Sequence, residues 1–233
     1  MTLTNTPIIL HIETATEACS VAISRGEEVL AFCEATEAMA HTTQTTILIE
    51  QCLKQANLKA KDLDAVSVSK GPGSYTALRV GSSIAKGMCY ALNIPLIAVD
   101  SLQSLAMAAA AEIKDNNALY CGMIDARRME VYAAIYDVNG VEKQALQCII
   151  IDENSFSTFI EKNQQIVLCG NGAEKCRSLL SSEYISFLPS TSSAIFLIKI
   201  ANQHFINRKF QDISVYSPEY AKNPNITTAK KIF

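Results

Sequence analysis

The sequence predicts an α/β fold built from two similar halves, and two observations support this prediction. The first is a repeated order of predicted elements: three strands, a helix, a strand and a helix occur before residue 114 and again after residue 117. The second is a complete βαβ unit at residues 65–99, whose two strands should be parallel with a right-handed crossover. We therefore expect two subdomains, each a mixed sheet with flanking helices, at residues 1–100 and 101–233.

A glycine-rich turn separates the first strand of the βαβ unit from its helix. Gly71-Pro72-Gly73 predicts a turn because glycine tolerates positive φ and proline fixes its own φ. Ser74 can cap the helix through its hydroxyl, and Asn93 followed by Pro95 should end it. The predicted elements of the unit are strand Ala65–Val68, helix Thr76–Leu92 and strand Leu96–Val99.

The other elements follow from apolar periodicity and from turn residues. The first half should also contain strands Ile8–Glu13, Cys19–Ser24 and Val29–Cys33, helix Thr42–Ala56, and helix Leu102–Ile113 capped by Ser101. The second half should contain strands Tyr120–Ile124, Val131–Tyr136, Cys148–Ile151 and Ile166–Cys169, and helices near Phe156–Ile160, Ala173–Leu180 and Ala194–Ile206. The tail from Pro218 to Phe233 has weak periodicity, so we expect it to be irregular or docked.

The helix of the βαβ unit carries more small residues than a single sheet contact requires. One ridge at four-residue spacing is Ala77, Gly81, Ala85 and Cys89, and another is Ser83, Gly87 and Ala91. A glycine inside a helix costs about 1 kcal/mol relative to alanine, and close approach of another backbone is the usual reason for accepting that cost. Either both ridges pack on this chain's own sheet, or one of them meets a helix of a partner.

Composition excludes several classes of protein. The chain has 233 residues, an apolar fraction of 49% and a net charge of −3, and it contains no basic run of the kind that marks an autonomous nucleic-acid binder. No apolar run approaches the ~20 residues that span a bilayer, so we expect no membrane contact. The eight cysteines form no CxxC pair and no secretory signal is recognisable. We therefore expect reduced thiols in a cytoplasmic protein.

The residues that could carry chemistry are few. The glycine turn is not a P-loop, because no Gly-Lys-Ser/Thr follows it, and Thr76 occupies the third glycine position of a dinucleotide fingerprint. Glu13 and Asp125 each end the first strand of one half, where mirrored carboxylates either hold a magnesium nucleotide or cap tight turns. The three histidines are scattered and no nucleophile motif is present, which disfavours a metal hydrolase and nucleophilic catalysis.

Three segments, ILHIETATEACSVAI, GPGSYTALRVGSSIAKG and MIDARRMEVYAAIY, resemble the TsaB (YeaZ) family in the expected order. The resemblance implies two actin-like ATPase (ribonuclease H-like) subdomains and a role in the synthesis of N6-threonylcarbamoyladenosine in tRNA. It further implies a non-catalytic scaffold that dimerises with TsaD, the subunit that transfers the threonylcarbamoyl group, and that works with the ATPase TsaE. Such a protein forms a homodimer when alone, meets tRNA only through the complex, and needs no cofactor of its own.

The resemblance also assigns site residues. The family uses two helices of the first half as its partner face, which here implies an interface at Thr43, Ile47, Gln51, Thr76, Arg79, Val80, Ser83, Lys86 and Gly87. A vestigial nucleotide loop would comprise Glu13, Thr14, Gly71, Gly73, Ser74, Asp125 and Arg127. Glu13 stands where the family usually has aspartate, and the paired metal-binding histidines of TsaD have no counterpart, so we expect neither a catalytic residue nor a metal.

Two other functions remain open at this point. A self-sufficient actin-like ATPase or kinase would need intact phosphate loops and free magnesium carboxylates. A glycoprotease-like hydrolase would need a metal pair or an activated nucleophile.

Overall fold

The computed structural model describes residues 6–35, 41–128 and 130–222. In the first half the elements are β1 (Ile8–Glu13), β2 (Ser20–Arg25), β3 (Glu28–Glu34), α1 (His41–Gln55), β4 (Ala65–Gly71), α2 (Tyr75–Leu92), β5 (Leu96–Asp100) and α3 (Ser101–Ile113). In the second half they are β6 (Leu119–Asp125), β7 (Glu130–Tyr136), β8 (Glu142–Ile150), α4 (Ser157–Ile160), β9 (Ile166–Cys169), β10 (Ile185–Leu188) and α5 (Ala194–Ile206). Short 3₁₀ turns lie at Ala60–Asp62 and Ala173–Cys176.

Each half forms a five-stranded mixed sheet, and the two sheets have the same strand arrangement. The first runs β3-β2-β1-β4-β5 and the second β10-β9-β6-β7-β8. In both, the first three strands of the half are antiparallel neighbours and the next two pair in parallel. The predicted mixed sheets are confirmed, as is the parallel βαβ unit of β4, α2 and β5.

The central strands of the first sheet are buried because they are covered on both faces. Strands β1 and β4 lie in the middle and are almost entirely buried, and β4 alternates apolar residues with the buried serines Ser67 and Ser69. Two polar side chains of β1, His11 and Glu13, are also buried. The two ring nitrogens of His11 lie 2.7 Å from Ser67 Oγ and 2.8 Å from Ser24 Oγ, so the polar atoms of this ring are satisfied inside the sheet, as burial requires.

The last helix of each half packs mainly on the sheet of the other half. Leu102, Leu105 and Ala106 of α3 join a core with strands β6, β7 and β9. Leu197 and Ala201 of α5 join a core with strands β1, β4 and β5. The two halves are tied together by these helices, and the division of the chain at residue 100 remains a prediction.

Two predictions in the second half were wrong in extent, and one strand was missed. Strand β8 begins at Glu142, before the predicted Cys148, because it is a polar edge strand whose exposed positions give no apolar alternation. The predicted helix Ala173–Leu180 is only the 3₁₀ turn. Strand β10, with only four residues and a serine among them, was not predicted.

Two predicted helix caps also differ. The cap of α3 is Asp100, whose carboxylate oxygen accepts hydrogen bonds from the backbone N–H groups of Leu102 and Gln103 at 2.9 and 3.0 Å, so the predicted cap Ser101 is already inside the helix. Ser74 does precede α2, but its side chain makes no capping hydrogen bond. Helix α2 ends at Asn93, as predicted, and the structure shows this residue in the left-handed conformation.

All eight cysteines lie in the described part of the chain as free thiols, and only Cys148 is exposed. No helix among the described residues is long and apolar enough to cross a bilayer. Residues 223–233 of the tail lie outside the described residues.

Candidate functional site

The two small-residue ridges of α2 face opposite ways. Ala77, Gly81, Ala85 and Cys89 are buried against the first sheet. A Cβ atom added at Gly81 would lie 2.4 Å from Oγ1 of Thr14, which is the residue that follows β1. Gly81 is therefore required by close packing inside the chain.

The other ridge points outward. Ser83, Gly87 and Ala91 are exposed, and a Cβ atom added at Gly87 would meet no described atom within 4 Å. Within the described residues, the fold gives no reason for glycine at this helical position. A close contact with another molecule would give one.

A shallow groove of about 540 Å³ lies beside this ridge, between α1 and α2. Its lining residues are Thr46, Tyr75, Thr76, Arg79, Val80, Ser83 and Ile84. Among the described residues the lining contains no carboxylate, and Arg79 is the single charged side chain in that part of the lining. Ile47 of α1 is 51% exposed, which is a large apolar exposure for a helix position. Apolar and hydroxyl groups beside one arginine are typical of a protein-binding surface.

The structure places most of the predicted interface residues on this side of the molecule. Exposed positions are Ile47, Gln51, Thr76, Arg79, Ser83 and Gly87, and half-buried ones are Val80 and Lys86. The Lys86 ammonium donates a hydrogen bond to the carbonyl of Tyr216 at 3.0 Å, so it is turned towards the chain's own C-terminal segment. Thr43 belongs to α1, but its side chain lies outside the described residues.

Three groove residues were missed from the sequence: Thr46, Tyr75 and Ile84. A usable signal existed for Tyr75, because Tyr75, Arg79 and Ser83 follow one another at four-residue spacing and so share one helix face. The predicted helix began at Thr76 and so left Tyr75 out.

The predicted nucleotide-loop residues of the first half are packed against one another. A Cβ atom at Gly73 would lie 2.2 Å from the carbonyl oxygen of Ala15, and the backbone N–H of Ser74 donates to that same oxygen at 2.7 Å. Gly71 is buried with a φ of 111°, which favours glycine. The glycine turn is therefore closed against the loop after β1, which agrees with a structural turn.

Glu13 is completely buried at the end of β1. Its Oε1 accepts a hydrogen bond from the N–H of Ala15 at 2.6 Å, while Oε2 finds no hydrogen-bond partner among the described residues. Burial raises the pKa of Glu13 to about 7, and the hydrogen bond from the N–H of Ala15 opposes that rise. Near neutral pH this carboxyl is thus partly protonated, which makes it a poor ligand for a magnesium ion.

Asp125, the matching residue of the second half, is exposed and ion-paired. Its carboxylate pairs with the ammonium of Lys175 and accepts a hydrogen bond from the N–H of Arg127 at 2.6 Å. Lys175 also donates to the carbonyl of Arg128 at 2.6 Å, so Asp125 ties its own hairpin to the segment after β9. Glu13 and Asp125 share no hydrogen-bond partner, and no group of three possible metal ligands occurs among the described residues.

The two similar mixed-sheet subdomains form an α/β fold of the actin-like ATPase type, and the site geometry adds an outward helical face in the first half. A family model described as "TsaD: tRNA N6-adenosine threonylcarbamoyltransferase" matches residues 35–230. The tRNA threonylcarbamoyladenosine biosynthesis protein TsaB of Escherichia coli is 30% identical over 224 residues, which cover 92% of this chain and 94% of that protein. The chain belongs to the TsaB family, as its motifs predicted.

Two further comparisons agree. The TsaB protein of Buchnera aphidicola from Acyrthosiphon pisum is 36% identical over 132 residues, and this match spans 57% of the chain and 58% of that relative. The structure of YeaZ from Pseudomonas aeruginosa superposes with a TM-score of 0.79 and 22% identity, covering 92% of this chain and 99% of that one. This likeness confirms the predicted fold class.

Proposed function

We propose that this chain is a non-catalytic, cytoplasmic partner of a TsaD-type threonylcarbamoyltransferase, and that it binds that enzyme through the face formed by α1 and α2. The observation that carries the proposal is the outward ridge of Ser83, Gly87 and Ala91, on which glycine has no role in the described fold. The family assignment supports the reaction context, because the relatives are named as biosynthesis proteins of tRNA threonylcarbamoyladenosine.

The groups exposed on the α1–α2 face indicate which kind of partner surface would fit it. A ridge of serine, glycine and alanine lets a partner helix approach near the lower end of the ~8–10 Å interaxial range. Arg79 has no carboxylate beside it among the described lining residues of the groove, so it favours an acidic side chain of the partner opposite it. The complementary surface is therefore a helix with small or apolar residues and a carboxylate at one end.

A non-catalytic role is supported by the state of the two strand-end carboxylates. Glu13 is buried and partly protonated near neutral pH, and the Asp125 carboxylate is occupied by Lys175. Neither is free to hold a magnesium nucleotide, which an actin-like ATPase or kinase would require. Contact with TsaE and with tRNA then takes place within the complex that the chain forms with the TsaD-type enzyme.

The same face serves a second copy of the chain when the TsaD-type protein is absent. A homodimer through α1 and α2 would be isologous, so each copy would present the same surface. Homodimer and heterodimer are then mutually exclusive, and addition of the TsaD-type protein should dissociate the homodimer.

Gly87→Leu tests the proposed face. We expect the variant to fold normally, since the position is open, and to be monomeric, because leucine keeps a partner helix at a distance. Affinity for the TsaD homologue of the same organism, measured by titration calorimetry, should fall at least about 30-fold, the equivalent of roughly 2 kcal/mol.

Ala111→Leu is the matched control, because Ala111 is also an exposed small residue on a helix, α3, away from this face. It should bind the TsaD homologue normally. Unchanged binding by folded Gly87→Leu would contradict the proposed interface.

A further inference from the structure

The segment that follows α5, residues 209–222, returns to the first sheet and lies along β5 and α2. We call it the C-terminal strap. The N–H of Gln211 donates to the carbonyl of Leu96 at 2.9 Å, and the N–H of Glu219 donates to the carbonyl of Lys70 at 2.7 Å. Ile213 and Tyr216 of the strap pack against the core of the first sheet. The strap is thus held by backbone hydrogen bonds near both of its ends and by apolar contacts between them.

The strap ends at the groove between α1 and α2. The ring of Tyr220 packs against the ring of Tyr75 in a tilted arrangement, with 4.5 Å between their centroids and 38° between their planes. The Arg79 guanidinium lies 4.3 Å from the centroid of Tyr75 and 5.9 Å from that of Tyr220. In addition, Arg79 Nε donates a hydrogen bond to the hydroxyl of Tyr220 at 3.0 Å. Tyr220 therefore contacts Tyr75 and Arg79, which line the groove, but Tyr220 is not itself a lining residue.

Tyr220 is placed between two ionic anchors, one on each half of the molecule. The carboxylate of Glu219 pairs with Lys70 at 3.0 Å, at the end of β4. The ammonium of Lys222 pairs with Glu130, which begins β7. The position of the Tyr220 ring is thus fixed from both sides along the chain.

An exposed arginine on a helix samples many rotamers, and ordering it when a partner binds costs free energy. Contacts with two aromatic rings and one hydrogen bond favour one orientation of the Arg79 side chain before any partner arrives. From this geometry we propose that Tyr220 is a positioning residue of the partner face: it preorganises Tyr75 and Arg79, so that Arg79 is presented to a carboxylate of the bound partner. This inference rests on the proposed function, since it assumes that the α1–α2 face is the interface.

The test is a double-mutant cycle between Tyr220 and Arg79, with affinity for the purified TsaD homologue measured by titration calorimetry. We expect Tyr220→Ala to weaken binding on the order of tenfold, because both groove side chains must then be ordered on binding. Tyr220→Phe keeps the ring contacts and loses only the hydroxyl acceptor, so it should weaken binding by about threefold. When Arg79 is already replaced by alanine, Tyr220→Ala should cost less than about threefold, because its main target is gone.

Val215→Ala is the matched control, because Val215 lies on the same strap and is 78% exposed. It should leave the affinity unchanged. Thermal unfolding of all variants checks that the fold is retained, and if Tyr220→Ala unfolds, the cycle is completed with Tyr220→Phe. Two results would overturn the positioning role. One is that the Tyr220 variant in use (Tyr220→Ala, or Tyr220→Phe where it replaces it) loses the same affinity with Arg79 present as with Arg79 replaced by alanine. The other is that this variant alone binds with unchanged affinity.

Gly87→Leu separates this inference from the proposed function. If Gly87→Leu abolishes binding while Tyr220→Ala, or Tyr220→Phe in its place, binds normally, the interface stands and the role of Tyr220 fails. If folded Gly87→Leu binds normally, the interface itself is wrong and the inference falls with it.

Discussion

On its inward side α2 approaches β1 so closely that a Cβ atom at Gly81 would lie 2.4 Å from Thr14 Oγ1, whereas on its outward side a Cβ atom at Gly87 would meet no described atom within 4 Å. Glycine thus occurs twice on one helix, but packing within the chain explains only Gly81. Because the described fold gives no reason for Gly87, this glycine points to a contact with another molecule.

The largest expected loss of stability comes from a substitution on the inward side of α2. Gly81→Leu forces a bulky side chain against buried Thr14, and overpacking a close-packed interior costs roughly 3 kcal/mol here, towards the upper end of the usual range. We expect the free energy of unfolding in urea, followed by circular dichroism, to fall by that amount or the protein to be insoluble. Gly87→Leu is the comparison variant on the outward side and should unfold at the same or a higher urea concentration. Equal stability of Gly81→Leu and wild type would contradict the assigned orientation of α2.

A second prediction concerns the buried carboxyl beneath α2. The pKa of Glu13 is raised to about 7 from an ordinary value of 4.5. The folded state therefore holds the proton between pH 7 and pH 4.5, where the unfolded state releases it, so this group stabilises the fold as the pH falls through that window. Above pH 7 the buried charge is a cost. The contribution of Glu13 to the free energy of unfolding should therefore be about 2 kcal/mol larger at pH 5 than at pH 8, since one pKa unit corresponds to 1.36 kcal/mol.

Glu13→Gln isolates this effect, because glutamine carries no titrating proton. The difference in unfolding free energy between variant and wild type should favour the variant more at pH 8 than at pH 5, by about 2 kcal/mol. His11, whose pKa is lowered to about 3 by burial, destabilises the fold below pH 6.5, but it is present in both proteins and cancels in the difference. Urea unfolding at the two pH values measures the result. A difference that does not change with pH would show that Glu13 is not held neutral by burial.

The fold was largely predictable because burial leaves a pattern in the sequence. Strand β1 and helix α5 have the predicted bounds, since both are apolar where they meet the core. The polar edge strand β8 and the four-residue β10 lack such a pattern, so their extent or existence was missed. Asp100 and Ser101 are adjacent candidate caps, and only the three-dimensional structure distinguishes them.

The candidate site was less predictable because it depends on contacts between distant parts of the chain. The small ridges of α2 could be found from spacing, but not which of them faces outward. The contact between Tyr220 and Tyr75 joins residues that are far apart in sequence, and no local pattern indicates it. The burial of Glu13 and the pairing of Asp125 with Lys175 likewise follow from packing of separate loops.

The smallest expected change in stability is that of Gly87→Ala, a substitution that distinguishes the effect of helix propensity from the effect of side-chain size. Gly87→Ala adds one methyl group in open space, and alanine is favoured over glycine by about 1 kcal/mol inside a helix. We expect the melting temperature to rise by roughly 2–4 °C, the shift that such a gain gives in a domain of this size. If a partner helix packs on the Gly87 backbone, the methyl group should weaken binding by only about threefold, far less than leucine does. A Gly87→Ala protein that is destabilised would show that the position is not open. One that binds its partner as poorly as Gly87→Leu would show that the two backbones touch directly at this residue, which would make Gly87 a stricter requirement of the interface than the ridge geometry implies.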